Sequence, residues 1–207
     1  MLKYSQPNSV ALFVRDIENL SPQVQTLVRM QGSPQEPKRV YAYEVDFHEP
    51  LKITSKTHQM LRNLNGRVDH IFFCHGVIHF MAGIDGRLPD WDAVQKINVR
   101  STMQILSICM PFLRMTKGSA TVLSSSAGEK PWPGHTIFNA AMASLNMMVR
   151  CAALENAHHQ VRINAVAPGY VRSEKARTNP ECQNFLSPQQ NNAMICQVAM
   201  ATPLFGH

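Results

Sequence analysis

Three groups of residues in this sequence have types and spacing that could do chemistry. The run Ser124-Ser125-Ser126 closes the apolar segment "SATVL", which places hydroxyls at the end of a strand. A serine hydrolase would set its nucleophile in G-x-S-x-G with a partnered His and acid, and no such pentapeptide occurs. Cys74, His75 and His79 crowd together after another apolar segment. Zinc wants three or four ligands at fitting spacing, and the glycine-bearing turn at 83–86 argues against a helix presenting His75 and His79 together, so these read as loop histidines. The third group is the stretch "GHTIFNAAMASLNMMVR" (134–150), a helical pattern in which Phe138 and Met142 lie four apart on one face. Neither carries an ionisable group. His135 and Lys130 are the nearest residues that do, and "NAHHQ" (156–160) sets imidazoles at the far end of the helix.

The elements that must position these groups alternate along the chain. "SVALFV" (9–14), "RVYAYEVDF" (39–47), "VDHIFFC" (68–74), "SATVLSSS" (119–126) and "VRINAVAP" (161–168) read as strands. Between them, Ser21-Pro22 signals a helix start with Gly32 as its stop. Ile53, Met60, Leu61 and Leu64 mark a second helix over 54–65, and a long stripe from Trp91 to Ile108 runs up to Pro111. A final helix covers 135–157. Strict alternation of strand and helix predicts an α/β protein with a three-layer, doubly wound parallel sheet. The Gln/Asn-rich, then apolar, segment 176–207 reads as a C-terminal extension to a domain at 1–175.

At 207 residues the chain has length for one well-cored domain. Its net charge is +6, but the basic residues are scattered without aromatic interleaving, which argues against a nucleic-acid footprint. Five cysteines form no C-x-x-C pair, the pattern of a reducing compartment. No continuous apolar run approaches the roughly 18 residues that span a bilayer, and "MLKYSQPNS" has no signal-peptide core. These features predict an intracellular protein of the cytoplasm or an organellar matrix such as the mitochondrion's.

Three segments in order carry a resemblance. "WDAVQKINV" (91–99), "GSATVLSSSAG" (118–128) and "VRINAVAPGYVRSE" (161–174) are similar to segments of the short-chain dehydrogenase/reductase family, which the chain resembles over about residues 9–175. The resemblance implies a Rossmann-like fold and a proton relay of Ser, Tyr and Lys, with an Asn that orders the local helix. Asn98 stands at the family's Asn, and Ser125, three before Gly128, at its Ser. Thirteen residues beyond Ser125, in place of the family's Tyr, comes Phe138, and four further, in place of Lys, comes Met142. Phe has no proton to give, and Met has no charge to lower a neighbour's pKa.

On the cofactor side, the resemblance places Arg15 and Asp46 at the adenosine end, with Gly76, Pro168 and Gly169 along the backbone path of a dinucleotide; Ser173 replaces a usual Thr. No G-x-G-x-x-G occurs to cradle a pyrophosphate. "SVALFV" is similar to the family's second strand, so the sheet is expected to be incomplete, without the first strand and the seventh, unless "SVALFV" slides into the first place. The resulting expectation is a catalytically inactive family member with no cofactor, acting as a subunit of a larger complex or a homo-oligomer through helix 135–157. A working oxidoreductase using NAD or NADP and a nucleotide- or RNA-binding module are the alternatives.

Overall fold

A computed structural model describes residues 9–30, 40–78, 83–169 and 199–200. The chain runs β1 (Val10–Val14), α1 (Pro22–Arg29), β2 (Val40–Glu44), α2 (Pro50–Asn63), β3 (His70–Phe73), α3 (Leu88–Val94), a π-helical segment (Gln95–Arg100), α4 (Ser101–Thr116), β4 (Ser119–Leu123), α5 (Thr136–Asn156), β5 (Arg162–Ala167) and β6 (Ala199–Met200). Short 3₁₀ turns at Ser126–Gly128 and Ala157–His159 flank α5. His79, Gly32, Ser173 and residues 33–37 lie outside the described residues, as does most of the segment 176–207.

The Rossmann-like α/β reading holds, and among the described residues the strands do not form one continuous sheet. The strands form two sheets: β1 pairs with β2 in parallel, and β3, β4 and β5 form a parallel run. "SVALFV" does not slide into a central place: among the described residues β1 bonds only to β2. One departure from parallel order is β6, which pairs antiparallel with β5. A single hydrophobic core joins the two sheets, reaching from Tyr43 and Val45 through Ile53, Leu113 and Val122 to Val161 and Ile163. At about 25 cal/mol per Å² of apolar area buried, each such side chain contributes on the order of 1.5–3 kcal/mol. Hydrogen bonds lace the helices across it: Gln104 donates to Pro50 O (2.7 Å) and Thr54 Oγ1 (2.6 Å), and Asn63 to Tyr43 Oη (2.8 Å).

Several boundaries differ from expectation for local reasons. α1 is capped as expected, Ser21 Oγ accepting from Val24 N at 3.5 Å, but it ends at Arg29. α2 starts four residues early because Pro50, with its φ already helical, occupies the first turn. The stripe expected to stop at Pro111 continues to Thr116. Proline there removes one bond, to the carbonyl of Ser107, an exposed residue on the outer side of the helix. α5, with the turn after it, is by length and composition apolar enough to cross a bilayer (136–159), contrary to the expectation from continuous runs. Its stripe of Ile137, Ala141, Leu145 and Val149 is buried in the core, which accounts for the apolarity.

Candidate functional site

The carboxyl ends of the parallel strands collect the chemistry, as they do in open α/β sheets generally. After β4 the backbone stays laced to β5: Ser124 N donates to Val166 O (2.8 Å) and Ser126 N to Pro168 O (3.0 Å). Ser125 is buried, and its Oγ caps the short turn by accepting from Ala127 N at 3.2 Å. α5 presses directly on that turn. A Cβ on Gly128 would lie 2.7 Å from the Met142 carbonyl carbon and 2.8 Å from Ala143 N, so only glycine admits the contact. Met142 is 5% exposed, with its sulfur 3.9 Å from Ser124 Oγ, while that hydroxyl donates to Asn146 Oδ1 at 2.5 Å. Phe138, one turn earlier, is half-buried with its ring 6.4 Å from that of Trp132. Ser125, Phe138 and Met142 thus belong to one packed unit of turn and helix.

A second assembly sits at the end of β3. Asn98, in the π-helical segment, holds Val77 at both backbone groups, accepting from N and donating to O at 2.8 Å each. Its Oδ1 would lie 3.4 Å from a Cβ on Gly76. His75 stacks on Phe47, which follows β2, with ring centroids 4.1 Å apart and planes at 6°. Its Nε2 meets Ser101 Oγ at 2.6 Å, and that hydroxyl also contacts Ile97 O at 2.6 Å. With the serine proton on Ile97 O, Nε2 carries the hydrogen toward Ser101. Burial pushes the His75 pKa down to about 4, against the opposing pull of the Ile97 carbonyl.

Two ionisable residues lie near the Phe138 helix. His135 is 1% exposed with Nδ1 3.1 Å from Pro133 O, and Lys130 is an exposed loop residue. Among the described residues no group of three or more His, Cys, Asp and Glu could hold a metal.

The residues named for a dinucleotide are split between the two sheets. Arg15 follows β1 and Asp46 follows β2, both exposed, and Val45 N donates to Val14 O (2.9 Å) to keep these two ends side by side. Gly76 lies exposed after β3. Pro168 and Gly169 follow β5, where among the described residues a Cβ on Gly169 would meet only Ser126 Oγ, at 3.8 Å. Exposed ions at one end and open glycine backbone at the other fit the two ends of a nicotinamide dinucleotide. The described helix next to β1 supplies no glycine-rich turn for the pyrophosphate: it opens on Ser21-Pro22.

Sequence reasoning missed the Ser124–Asn146 pair and the Phe47–His75–Ser101 cluster. The available signal was position, since Phe47 and His75 each come just beyond a strand.

The sequence matches a family model described as enoyl-(acyl carrier protein) reductase over residues 6–203. The 3-oxoacyl-(acyl-carrier-protein) reductase FabG of Thermotoga maritima is 29% identical over 117 residues, 56% of this chain and 48% of that protein. The chain therefore spans about half the length of this relative. A metagenomic short-chain oxidoreductase solved in complex with NADP superposes with a TM-score of 0.67 at 27% identity, over 79% of this chain and 71% of that one. NAD+-bound xylitol dehydrogenase gives 0.72 over 87% of this chain and 68% of that one, a likeness of fold at 20% identity. The NADP complex, at 27% identity, together with the family match, overturns the expectation that no cofactor is involved. That expectation rested on the missing glycine-rich motif, which bears only on the pyrophosphate.

Proposed function

Because the chain belongs to the short-chain dehydrogenase/reductase family, we propose that it holds a nicotinamide dinucleotide at its strand ends, carries out no carbonyl reduction, and serves as an interaction subunit of a larger assembly. In the cofactor's place Arg15 and Asp46 would meet the adenosine end, and the backbone at Gly76, Pro168 and Gly169 the nicotinamide end. A bound dinucleotide supplies a hydride in this family. This chain's part would be to bind and orient it.

One observation carries the inactive reading. Met142, at the position where the family resemblance implies a lysine, is packed in the core against Ser124, and Phe138, at the implied tyrosine, offers no proton. Losing general acid–base help costs on the order of 10²- to 10⁴-fold in rate, and loss of a coupled pair leaves little for Ser125 to assist. The interaction reading rests on the outer face of α5, where Ala143, Met147 and Leu154 are exposed. Ala141, on the same helix, lies in the core. The three free cysteines among the described residues, Cys74, Cys109 and Cys151, suit an intracellular, reducing location.

The test pairs binding with turnover. Millimolar NADPH or NADH should raise the melting temperature, while oxidation of NAD(P)H with a panel of aldehydes and ketones should stay at background. Turnover above background would overturn the inactive reading in favour of a working NAD(P)-dependent oxidoreductase, which the placement of Ser125, Asn98 and the Pro168-Gly169 turn supports. Recovery of the native protein as a free monomer would count against the subunit role.

A further inference from the structure

Among the described residues four exposed cations pair with carboxylates: Lys52 with Glu49, Arg67 with Asp69, Arg87 with Asp90 and Arg150 with Glu129. Arg114, Lys117 and Arg162 are exposed and have no such pair there, yet they gather at the amino ends of β4 and β5. Lys117 N donates to Arg114 O (3.4 Å) and Arg162 N to Gly118 O (3.1 Å), which strings the three together. Three imidazoles join them. His70, Ser119 and Arg162 stand in register across β3, β4 and β5 and so share one sheet face, with His70 Nδ1 2.9 Å from Ser119 Oγ. His158 and His159, in the turn after α5, lie with ring centroids 3.9 Å apart. We propose that this surface is a docking site for an acidic polypeptide segment.

Repulsion within the group calls for an anionic partner. The His159 pKa is lowered, first by desolvation and then by the charges of His158 and Arg114. Of the carboxylates at this end, Asp69 is held at both oxygens by Arg67, and Glu155 of α5 is exposed and forms no ion pair among the described residues. The carboxyl-terminal dipoles of α4 and α5 account for Arg114, Lys117 and the histidine pair. Arg162 and His70 stand on strands, whose net dipole is small. Arg114 is presented in a fixed pose: its Nε donates to Oδ1 of Asn156 (2.9 Å), a residue 3% exposed, which leaves both terminal nitrogens for a bidentate carboxylate. Nucleic acid fits less well, since tight binding there draws on about six to ten phosphate contacts. Three cations and a row of about 10 Å across three strands offer fewer. The surface lies at the opposite strand ends from Arg15, Asp46, Gly76 and Gly169, apart from the outer face of α5, and stands whether or not a dinucleotide binds.

Titration of the full chain with the dye-labelled peptide GDEEDEEDG tests the proposal, with GNQQNQQNG as control and fluorescence anisotropy as the readout. The acidic peptide should bind saturably below about 1 mM at about 0.01 M salt. It should lose most of that affinity at about 0.15 M, where the Debye length shrinks to about 8 Å. Lys117→Gln with Arg162→Gln, whose side chains make no hydrogen bond among the described residues, should weaken binding by about fivefold to tenfold, the loss of two exposed ion pairs. Lys96→Gln with Arg100→Gln removes the same charge elsewhere and should leave binding within about twofold, since exposed charges away from the contact are screened. Absence of saturable binding at low salt would overturn the proposal. So would equal weakening by the two double variants, which is a net-charge effect. Tighter binding of a thymidine oligonucleotide of equal charge would overturn it in favour of nucleic acid.

Discussion

Phe47 and His75 lie flat on one another, 4.1 Å between ring centroids, and so join the loop after β2 to the loop after β3 across the break in the sheet. The contact does what backbone pairing does not do here. It is extended by Ser101 Oγ, 2.6 Å from His75 Nε2, into the first turn of α4. Strand ends from both sheets are thereby referenced to one helix, and the candidate site keeps its shape over a discontinuous sheet.

That cluster predicts a pH dependence. The His75 pKa is pushed down from 6.5 to about 4, chiefly by burial. Between those values the unfolded chain binds a proton that the folded chain refuses, so stability rises with pH through the window and is full above it. The loss at the acid end is on the order of 2–3 kcal/mol. Urea titrations from pH 4 to 7 should show the slope, and His75→Phe, which keeps a ring on Phe47 without a titrating group, should remove that share of it. An equal slope in the variant would assign the effect elsewhere.

Asn98→Ala should be a costly change for the fold alone. It removes both 2.8 Å bonds that fix Val77 and leaves a half-buried N–H and C=O without those partners. At 1–3 kcal/mol for each buried group left unsatisfied, a loss of about 2–4 kcal/mol is expected in chemical denaturation. The turn at Gly76 should loosen with it, seen as faster amide exchange at 74–78. Asn98→Asp, which retains the acceptor for Val77 N, should keep part of the stability.

The strands were legible because each is a short apolar run that ends at a turn or in serine: all five expected parallel strands appear, with β3 and β4 within two or three residues at either end. Helix α5 was expected over 135–157 and runs Thr136–Asn156. Less legible were features decided by distant partners. The π-helical segment at Gln95–Arg100 coincides with Asn98 reaching across to Val77, a contact of 21 residues' separation that periodicity does not encode. β6 depends on pairing with Val166 and Ala167, and the break between the sheets on which strand edges find partners. At the site, residue types at Ser125, Phe138 and Met142 could be read off, but not that Ser124, one residue earlier, holds Met142 and Asn146 together.

Two glycines at the site should respond in opposite ways to alanine. Gly128→Ala places a methyl 2.7–2.8 Å from backbone atoms of Met142 and Ala143, which yield only if α5 moves away from the turn. Overpacking of this kind costs typically 1–3 kcal/mol, and the larger end is expected because the obstacle is backbone. Gly169→Ala meets, among the described residues, nothing nearer than Ser126 Oγ at 3.8 Å and should change stability by less than about 0.5 kcal/mol. The same substitution should nonetheless weaken NADPH stabilisation, since the methyl would stand on the open backbone proposed for the nicotinamide end.

Restoring the family's side chains should separate packing from chemistry. Phe138→Tyr adds a hydroxyl to a half-buried ring beside Trp132 and should leave the fold nearly unchanged, within about 1 kcal/mol. Met142→Lys asks for an ammonium where a 5% exposed thioether now packs against Ser124 and below the Ser126–Gly128 turn. Ser124 Oγ, which donates to Asn146, could accept from the ammonium, but it is neutral, and burying a charge without an opposite partner costs several kcal/mol unless it deprotonates. A loss of about 2–4 kcal/mol is therefore expected for the single Lys variant, with the larger penalty at lower pH, where the amine must be charged. The double variant should show the same loss and no NAD(P)H oxidation with carbonyl substrates. If instead it folds as stably as the parent and turns over, the packing around Met142 is a relaxed form of a working site and the inactive reading falls.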